Sequence, residues 1–325
     1  MRNQNIPKKI LHWYDNNKRV LPWRKHVSKK QTEYFTLVSE FMLQQTQVKT
    51  VIPYFNFFIK KIPNLKKLSK TSENTLLKIW QGLGYYSRVQ NLKKTARIII
   101  DKYKGKMPQE YNQLVVLPGI GEYTASALLA IVFNKKIIPL DGNIKRLLKR
   151  IFNLKFSRNL NNFKTKLGYS ERSSDYAQAL MELGALICKP KNPLCNKCPI
   201  TSNCLSFKKN DFVIESKIKK EKNKYFEVNF YENKNKILLI KNDYYKFLKN
   251  LLIFPMNEIP EKNFFKNSKK IINVKMSNMN IKIKVNFLRG VKKINNSQWI
   301  EKSKFSKYTL PSFTKRIYKS IQNQI

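Results

Sequence analysis

A chain of 325 residues that is 42 % hydrophobic can build about two packed domains. Its net charge of +45, from 65 Lys+Arg against 20 Asp+Glu, favours a polyanion: nucleic acid, an anionic membrane surface or an RNA-rich assembly. No apolar run approaches the roughly 18–20 residues that span a bilayer, and the opening Met1-Arg-Asn-Gln-Asn lacks an apolar signal core, so a membrane role is not expected and a soluble cytoplasmic protein is. Lysine, asparagine and isoleucine are spread along the whole chain, so charge alone does not identify the partner.

In chain order, 32–48 is the first predicted helix, with Phe35, Val38, Phe41, Met42 and Leu43 near helical spacing. Glu40 lies inside it, in Ser39-Glu40-Phe-Met-Leu-Gln-Gln-Thr46. It is either a solvated helix position or a carboxyl whose pKa is raised by apolar neighbours. Ser87-Arg-Val-Gln90 is a capping-box pattern opening a helix towards Tyr103. In Leu117-Pro-Gly-Ile-Gly121-Glu-Tyr-Thr-Ala125, Pro118 ends one helix and Gly119 and Gly121 permit a tight turn. The next helix then starts with free N–H groups and a positive dipole end, a phosphate site without sequence preference. Leu140-Asp141-Gly-Asn143 follows, with Asp141 placed to cap a helix whose apolar face is Ile144, Leu147, Leu148 and Ile151.

The four cysteines are spaced Cys188-x6-Cys195-x2-Cys198-x5-Cys204. Cysteines clustered in a reducing compartment suggest a metal before a disulfide. Four thiolates hold either a [4Fe–4S] cube or a tetrahedral zinc, and a single close Cys-x-x-Cys pair is unlike the two knuckles of a zinc ribbon. Beyond them 207–223 is Lys-rich and reads as a linker. Then 225–231 and 236–240 flank Glu232-Asn-Lys-Asn235 as a hairpin, 279–287 alternates as a half-buried strand, and 313–321 reads as a short amphipathic helix. Eight of the nine glycines lie at or before Gly184, which marks a change of texture. The expected organisation is a mainly α domain over 1–206, the linker 207–223, and a small α+β domain over 224–325.

These motifs, with Leu21-Pro-Trp-Arg24 and Gly82-Leu-Gly-Tyr-Tyr86, resemble the MutY-type adenine DNA glycosylases of the endonuclease III superfamily, strongly over about 6–205 and weakly over 224–325. The resemblance implies a mainly α helix-hairpin-helix glycosylase domain with a [4Fe–4S] cluster loop (188–204), then a small α+β Nudix-like domain that senses 8-oxoguanine. It implies double-stranded DNA carrying A:8-oxoG or A:G mispairs as partner, and a monomer. Glu40 matches the general acid and Asp141 the carboxylate that stabilises or transiently bonds the sugar, with Asn143 orienting it and Tyr123 lining the pocket. Trp23, Arg24 and Leu43 would shape the adenine pocket. Gln45 and Thr46 would contact the opposing base, Tyr85 would wedge into the duplex, and Gly119 and Gly121 would serve the phosphate-binding hairpin. Cys188, Cys195, Cys198 and Cys204 would hold the cluster.

Cleaving an N-glycosidic bond needs one protonated and one ionised carboxyl, a division that different environments supply. Bifunctional relatives place a lysine where this chain has Tyr123, and a phenol forms no Schiff base, so a monofunctional enzyme is expected. In the C-terminal domain, 250–256 looks like a degraded Trp-Glu-Phe-Pro segment, and no Glu-rich Nudix metal box is present. Met276-Ser277-Asn278 stands where relatives carry Phe-Ser-His, so Ser277 and Asn278 are the candidate lesion readers and a weaker preference for 8-oxoguanine is expected. Two other readings fit parts of the sequence: a pyrimidine-lesion glycosylase/lyase of the endonuclease III type, opposed by Tyr123, Leu-Gln-Gln-Thr and the extra domain, and a catalytically inactive DNA-binding relative, opposed by the retention of Glu40 and Asp141.

Overall fold

The computed structural model describes the chain apart from residues 1–5, 26, 156–159, 213–220, 246, 266–270, 277, 289–293 and 324–325. Contacts divide it into two compact units, Met1–Thr71 with Gln90–Ser216, and Ser72–Val89 with Lys217–Ile325. The helices are α1 (Ile6–Asn17), α2 (Lys29–Leu43), α3 (Val48–Lys61), α4 (Leu65–Lys70), α5 (Glu73–Trp80), α6 (Ser87–Tyr103) and α7 (Tyr111–Val115). They continue as α8 (Glu122–Phe133), α9 (Gly142–Ile151), α10 (Leu160–Lys164), α11 (Ser173–Glu182) and α12 (Leu205–Lys208). No described helix is long and apolar enough to cross a membrane.

In the first unit α2 starts at a capping box, with Ser28 Oγ accepting from Gln31 N–H (3.4 Å) and Gln31 Oε1 from Ser28 N–H (3.3 Å). Residues 34–42 are then buried all round the helix, as befits an element enclosed by its neighbours. α9 is amphipathic as its sequence predicts: Ile144, Leu147, Leu148 and Ile151 join Ile10 and Tyr14 of α1 and Leu180 of α11 in one core cluster. α6 does run Ser87–Tyr103, yet Ser87 is its first helical residue rather than a cap, and Arg88 N–H donates to Tyr85 O (2.9 Å).

The second unit is built on β1 (Lys222–Asn233), β2 (Lys236–Lys241), β3 (Leu252–Ile253), β4 (Met256–Glu258), β5 (Ile272–Met276), β6 (Met279–Leu288) and β7 (Ser297–Glu301). α13 (Glu261–Phe264) and α14 (Ser312–Gln322) accompany the strands. The sheet order is β3-β2-β1-β6-β5, with β4 on β1 and β7 on β2. The predicted hairpin is β1–β2, paired Asn233↔Lys236, and α14 buries Phe313, Ile317 and Ile321 in the unit's core. The expected linker is shorter than 207–223 at both ends. α12 enters it because the cysteine loop runs on into a helical turn, and β1 starts at Lys222 because its pairing with β6 reaches Met279.

The alternation of 279–287 finds the strand but not its setting. β6 runs parallel to β1 and antiparallel to β5, and Lys284 on its expected polar face is only 5 % exposed while Phe287 is 52 % exposed. The second face is covered by aromatic rings: Lys284 Nζ lies 4.8 Å from the Phe264 ring and Lys282 Nζ 5.4 Å from that of Phe265. A lysine stem covers apolar surface while its ammonium sits against a ring, so a polar letter in the pattern does not mean solvent.

Candidate active site

Glu40 reaches the site from the last turn of α2. Its helix is buried on every side, and the residue is 5 % exposed, so the solvated alternative is removed. One carboxyl oxygen, Oε2, is buried without a hydrogen-bond partner. Burial pushes the Glu40 carboxyl up to about 7, and the nearby Asp141 adds to the rise, against the Tyr123 hydroxyl and Arg24, which favour the charged form. Tyr123 stands in the first turn of α8; burial and the Glu40 and Asp141 charges raise its phenol well above the usual range.

Asp141 is the N-cap of α9, and its Oδ1 accepts from Ile144 N–H at 2.6 Å. Asn143 Nδ2 donates to Asp141 Oδ2 (2.9 Å), and Arg146 Nη2 donates to Asn143 Oδ1 (2.8 Å) and to Gly184 O (2.7 Å). Asp141 is raised as well, burial being the largest cause, while the Ile144 and Asn143 donors and Arg146 oppose the rise and favour its carboxylate. Glu40 retains a buried oxygen with no donor while Asp141 is surrounded by donors, so the two carboxyls sit in opposed environments. Gly184, in the π-helical turn Leu183–Ile187, presses on α9: a Cβ there would lie 2.7 Å from Asn143 Cβ.

One large pocket in the first unit is lined by Trp23, Arg24, Glu40, Leu43, Gln45, Thr46, Tyr123, Asp141 and Asn143. Nine residues scattered over about 120 positions of sequence thus converge on one cavity, whose walls are carboxyl, phenol, indole and guanidinium groups. The sequence pattern matches known repair proteins in the same region. Residues 38–171 match the HhH-GPD superfamily of base excision DNA repair proteins. The chain is 38 % identical over 259 residues to an adenine DNA glycosylase of Buchnera aphidicola subsp. Schizaphis graminum, covering 76 % of this chain and 73 % of that protein. It is 41 % identical over 261 residues to the adenine DNA glycosylase of Buchnera aphidicola subsp. Baizongia pistaciae, covering 76 % of this chain and 72 % of that one. The chain belongs to the adenine DNA glycosylase family. The fold of a thermostable thymine-DNA glycosylase is also similar, at 27 % identity and a TM-score of 0.57 over 64 % of this chain and 97 % of that one.

Sequence reasoning missed three residues of this family member's pocket. Glu182, fully buried at the end of α11, accepts from Arg19 Nε (2.7 Å) and Arg19 Nη2 (2.9 Å), and Arg24 Nη1 lies 2.9 Å from its Oε1. Arg146 is the third. A lone Glu in a helix gives no sequence signal of this, since Arg19 and Arg24 lie 163 and 158 positions away. Glu182→Ala is expected to cost a few kcal/mol in urea unfolding, because it leaves two half-buried guanidinium groups without their carboxylate, and Glu182→Gln less.

The hairpin glycines differ. Gly119 has φ +81°, and a Cβ on it would lie 2.6 Å from Phe41 Cε1, so only glycine fits. Gly121 is the N-cap of α8 with φ −93°, a backbone any residue adopts, and a Cβ there would meet nothing within 4 Å. Its turn therefore does not require glycine, which corrects the expectation for that position. Gly119 O accepts from Gln44 Nε2 (3.1 Å) and Pro118 O from Thr95 Oγ1 (2.8 Å), which fixes the hairpin to α2 and α6.

The four cysteines form no disulfide with one another and line one apolar cavity with Leu147 and Ile200. They ring a volume rather than converge on a point: among the described residues no three His, Cys, Asp or Glu side chains are grouped to ligate a single ion. Burial pushes the Cys198 thiol up to about 11 and raises Cys195 and Cys204. Burial disfavours the thiolate form of these three, and a bound metal would supply compensating positive charge. From Cys188 to Cys204 only Ile200 is buried among the described residues, so the loop has almost no core of its own. It is tied instead to α9: Arg146 Nε donates to Cys188 O (2.8 Å), Arg150 Nη1 to Lys189 O (2.6 Å) and Arg150 Nη2 to Pro190 O (2.8 Å).

Tyr85 and Asn278 belong to the second unit. Tyr85 is 45 % exposed at φ +47°, and Asn278 is half-buried in the turn between β5 and β6, where its carbonyl accepts from Lys222 N–H (2.9 Å). Ser277 lies outside the described residues.

Proposed function

We propose that this chain hydrolyses the N-glycosidic bond of adenine mispaired with 8-oxoguanine or guanine in duplex DNA, leaving an abasic site and an intact strand. The observation that carries this is the buried Glu40 carboxyl, raised to about 7 with one oxygen unpartnered, facing the same pocket as the donor-held Asp141. The adenine leaves the base stack to enter that pocket, between Trp23, Arg24 and Leu43. Neutral Glu40 donates its proton to a ring nitrogen of adenine, the C1′–N9 bond breaks, and both bonding electrons leave with the base. The Asp141 carboxylate, oriented by Asn143, faces the resulting cationic sugar or bonds C1′ transiently. Glu40, now ionised, takes a proton from the water that completes the abasic site. Tyr123 offers no amine for strand-nicking chemistry.

Gln45 and Thr46 serve the opposing base and Tyr85 the gap left in the stack. The hairpin before α8 takes a backbone phosphate on free N–H groups, with the open space at Gly121 leaving room for its approach. The thiols of Cys188, Cys195, Cys198 and Cys204 suit a [4Fe–4S] cluster, which would supply the loop with the order its sequence lacks. The second unit serves as a diverged Nudix-like reader of 8-oxoguanine through Ser277 and Asn278, within 224–325. The protein acts as a monomer on DNA.

The test is single-turnover release of adenine from duplexes in which it stands opposite 8-oxoguanine, guanine or cytosine. Release from the two mispairs only, without nicking before base treatment, is expected. Binding to all three without release would sink the reading. Gly119→Ala is expected to cost about 2 kcal/mol or more of stability, through both φ and the Phe41 clash. Gly121→Ala is expected to melt as the wild type yet bind DNA several-fold more weakly, since a methyl group would stand where the phosphate comes in.

A further inference from the structure

The segment Gly82-Leu-Gly-Tyr85 carries three left-handed residues, Gly82 (φ +101°), Gly84 (φ +73°) and Tyr85 (φ +47°). Two of them are glycines; Tyr85 is not, and a bulky residue rarely adopts this conformation unless its surroundings impose it. The turn presents two carbonyls to one donor: Arg88 Nη2 donates to Leu83 O (3.0 Å) and Gly84 O (3.0 Å). Gly84 O also accepts from Trp80 Nε1 (3.1 Å). The same guanidinium lies 5.5 Å from the Trp80 ring centroid and 5.3 Å from that of Tyr85. Arg88 is 6 % exposed and Tyr85 45 %. One buried guanidinium thus stands within cation–π reach of both rings, of which Trp80 is buried and Tyr85 is offered to solvent. Burial pulls Arg88 down to about 10, which leaves it charged at neutral pH.

We infer that Arg88 is a positioning residue that holds Tyr85 rigid, through its grip on the Leu83 and Gly84 carbonyls and its cation–π contact with the ring, so that Tyr85 enters the base stack without first losing conformational freedom. The inference rests on the proposed wedging role of Tyr85. A side chain that separates stacked bases must resist being pushed aside, and one already fixed by its own turn pays less ordering entropy on contact. A planar guanidinium can hold both carbonyls and reach both rings at once, which lysine, a point charge on a flexible stem, does not do.

The test compares adenine release by the full chain from two duplexes with the same A:8-oxoguanine pair. One is flanked by stable pairs; the other is flanked by mismatches that open the stack beforehand. Tyr85→Ala, Arg88→Met and Arg88→Lys are compared with the wild type, with thermal melting as the check on folding. Arg88→Met is expected to slow release from the closed duplex at least tenfold and from the opened one less than threefold, as Tyr85→Ala does. Arg88→Lys is expected to fall between Arg88→Met and the wild type. If Arg88→Met does not melt cooperatively, selective slowing by Arg88→Lys on the closed duplex carries the same expectation. Equal slowing on both duplexes by the arginine variants, or none, overturns the inference while a selective loss in Tyr85→Ala leaves the wedge standing. No selective loss in Tyr85→Ala overturns the wedge itself.

Discussion

Glu40→Gln is expected to lower single-turnover adenine release on the order of 10²–10⁴-fold, the range for removing a positioned general acid. Glutamine keeps the shape of the side chain and has no proton to give. The pH dependence follows from the same burial. Glu40 acts as the acid when protonated, and its pKa is pushed up to about 7, so wild-type release is expected to fall about tenfold per unit above that pH, and to fall again at acid pH where Asp141, itself raised by burial, takes up a proton. Stability runs in the same sense. The folded-state value lies above the ordinary 4.5, so the folded protein holds a proton that the unfolded chain loses first. The contribution of Glu40 is fully present below about 4.5 and is lost as pH rises through about 7. Glu40→Gln is therefore expected to be nearly inactive and, at pH 8, to melt higher than the wild type by a few degrees. A mutant that is both inactive and less stable at pH 8 would mean that the carboxyl is there for packing, and the assignment of the acid would fall.

Cys198→Ala is expected to give protein with little bound iron and no visible charge-transfer absorbance, melting lower by more than about 5 °C. The reason is the poverty of the loop. Between Cys188 and Cys204 only Ile200 is buried among the described residues, so hydrophobic burial adds little order to it and a bound cluster would contribute folding energy directly. The damage is expected to reach catalysis as well. The loop's carbonyls at Cys188, Lys189 and Pro190 are held by Arg146 and Arg150 of α9, and Asp141 caps the same helix, with Asn143 between Asp141 and Arg146. Disorder in the loop frees Arg146, then Asn143, then the orientation of Asp141. Adenine release by the folded fraction is expected to fall more than tenfold. Iron content, melting temperature and release all unchanged in Cys198→Ala would refute the cluster assignment.

The chain by itself determined the local devices. Asp141 caps α9 because a short acceptor side chain three residues before a free N–H is a local arrangement, readable from spacing alone. The hairpin at Gly119, the apolar face of α9, the β1–β2 hairpin and the alternation of β6 were legible for the same reason: each depends on residues a few positions apart. The ionisation of Glu40 was not. Its neighbours in sequence allowed either a solvated or a buried carboxyl, and the choice fell to α2 being enclosed on all sides and to Tyr123, Arg24 and Asp141 arriving from elsewhere in the chain. Glu182 gave no signal at all, since its role is set by Arg19 and Arg24, which reach it from the opposite end of the same unit. The capping box expected at Ser87 went to Ser28, where the backbone enters the helix extended rather than through the left-handed turn at Tyr85. Lys284 reads as a surface residue and is buried, because the strand's second face meets the Phe264 ring instead of water. Spacing fixes what a segment does with its own backbone; desolvation and charge depend on whatever else is packed within a few ångströms, and that only the tertiary structure decided.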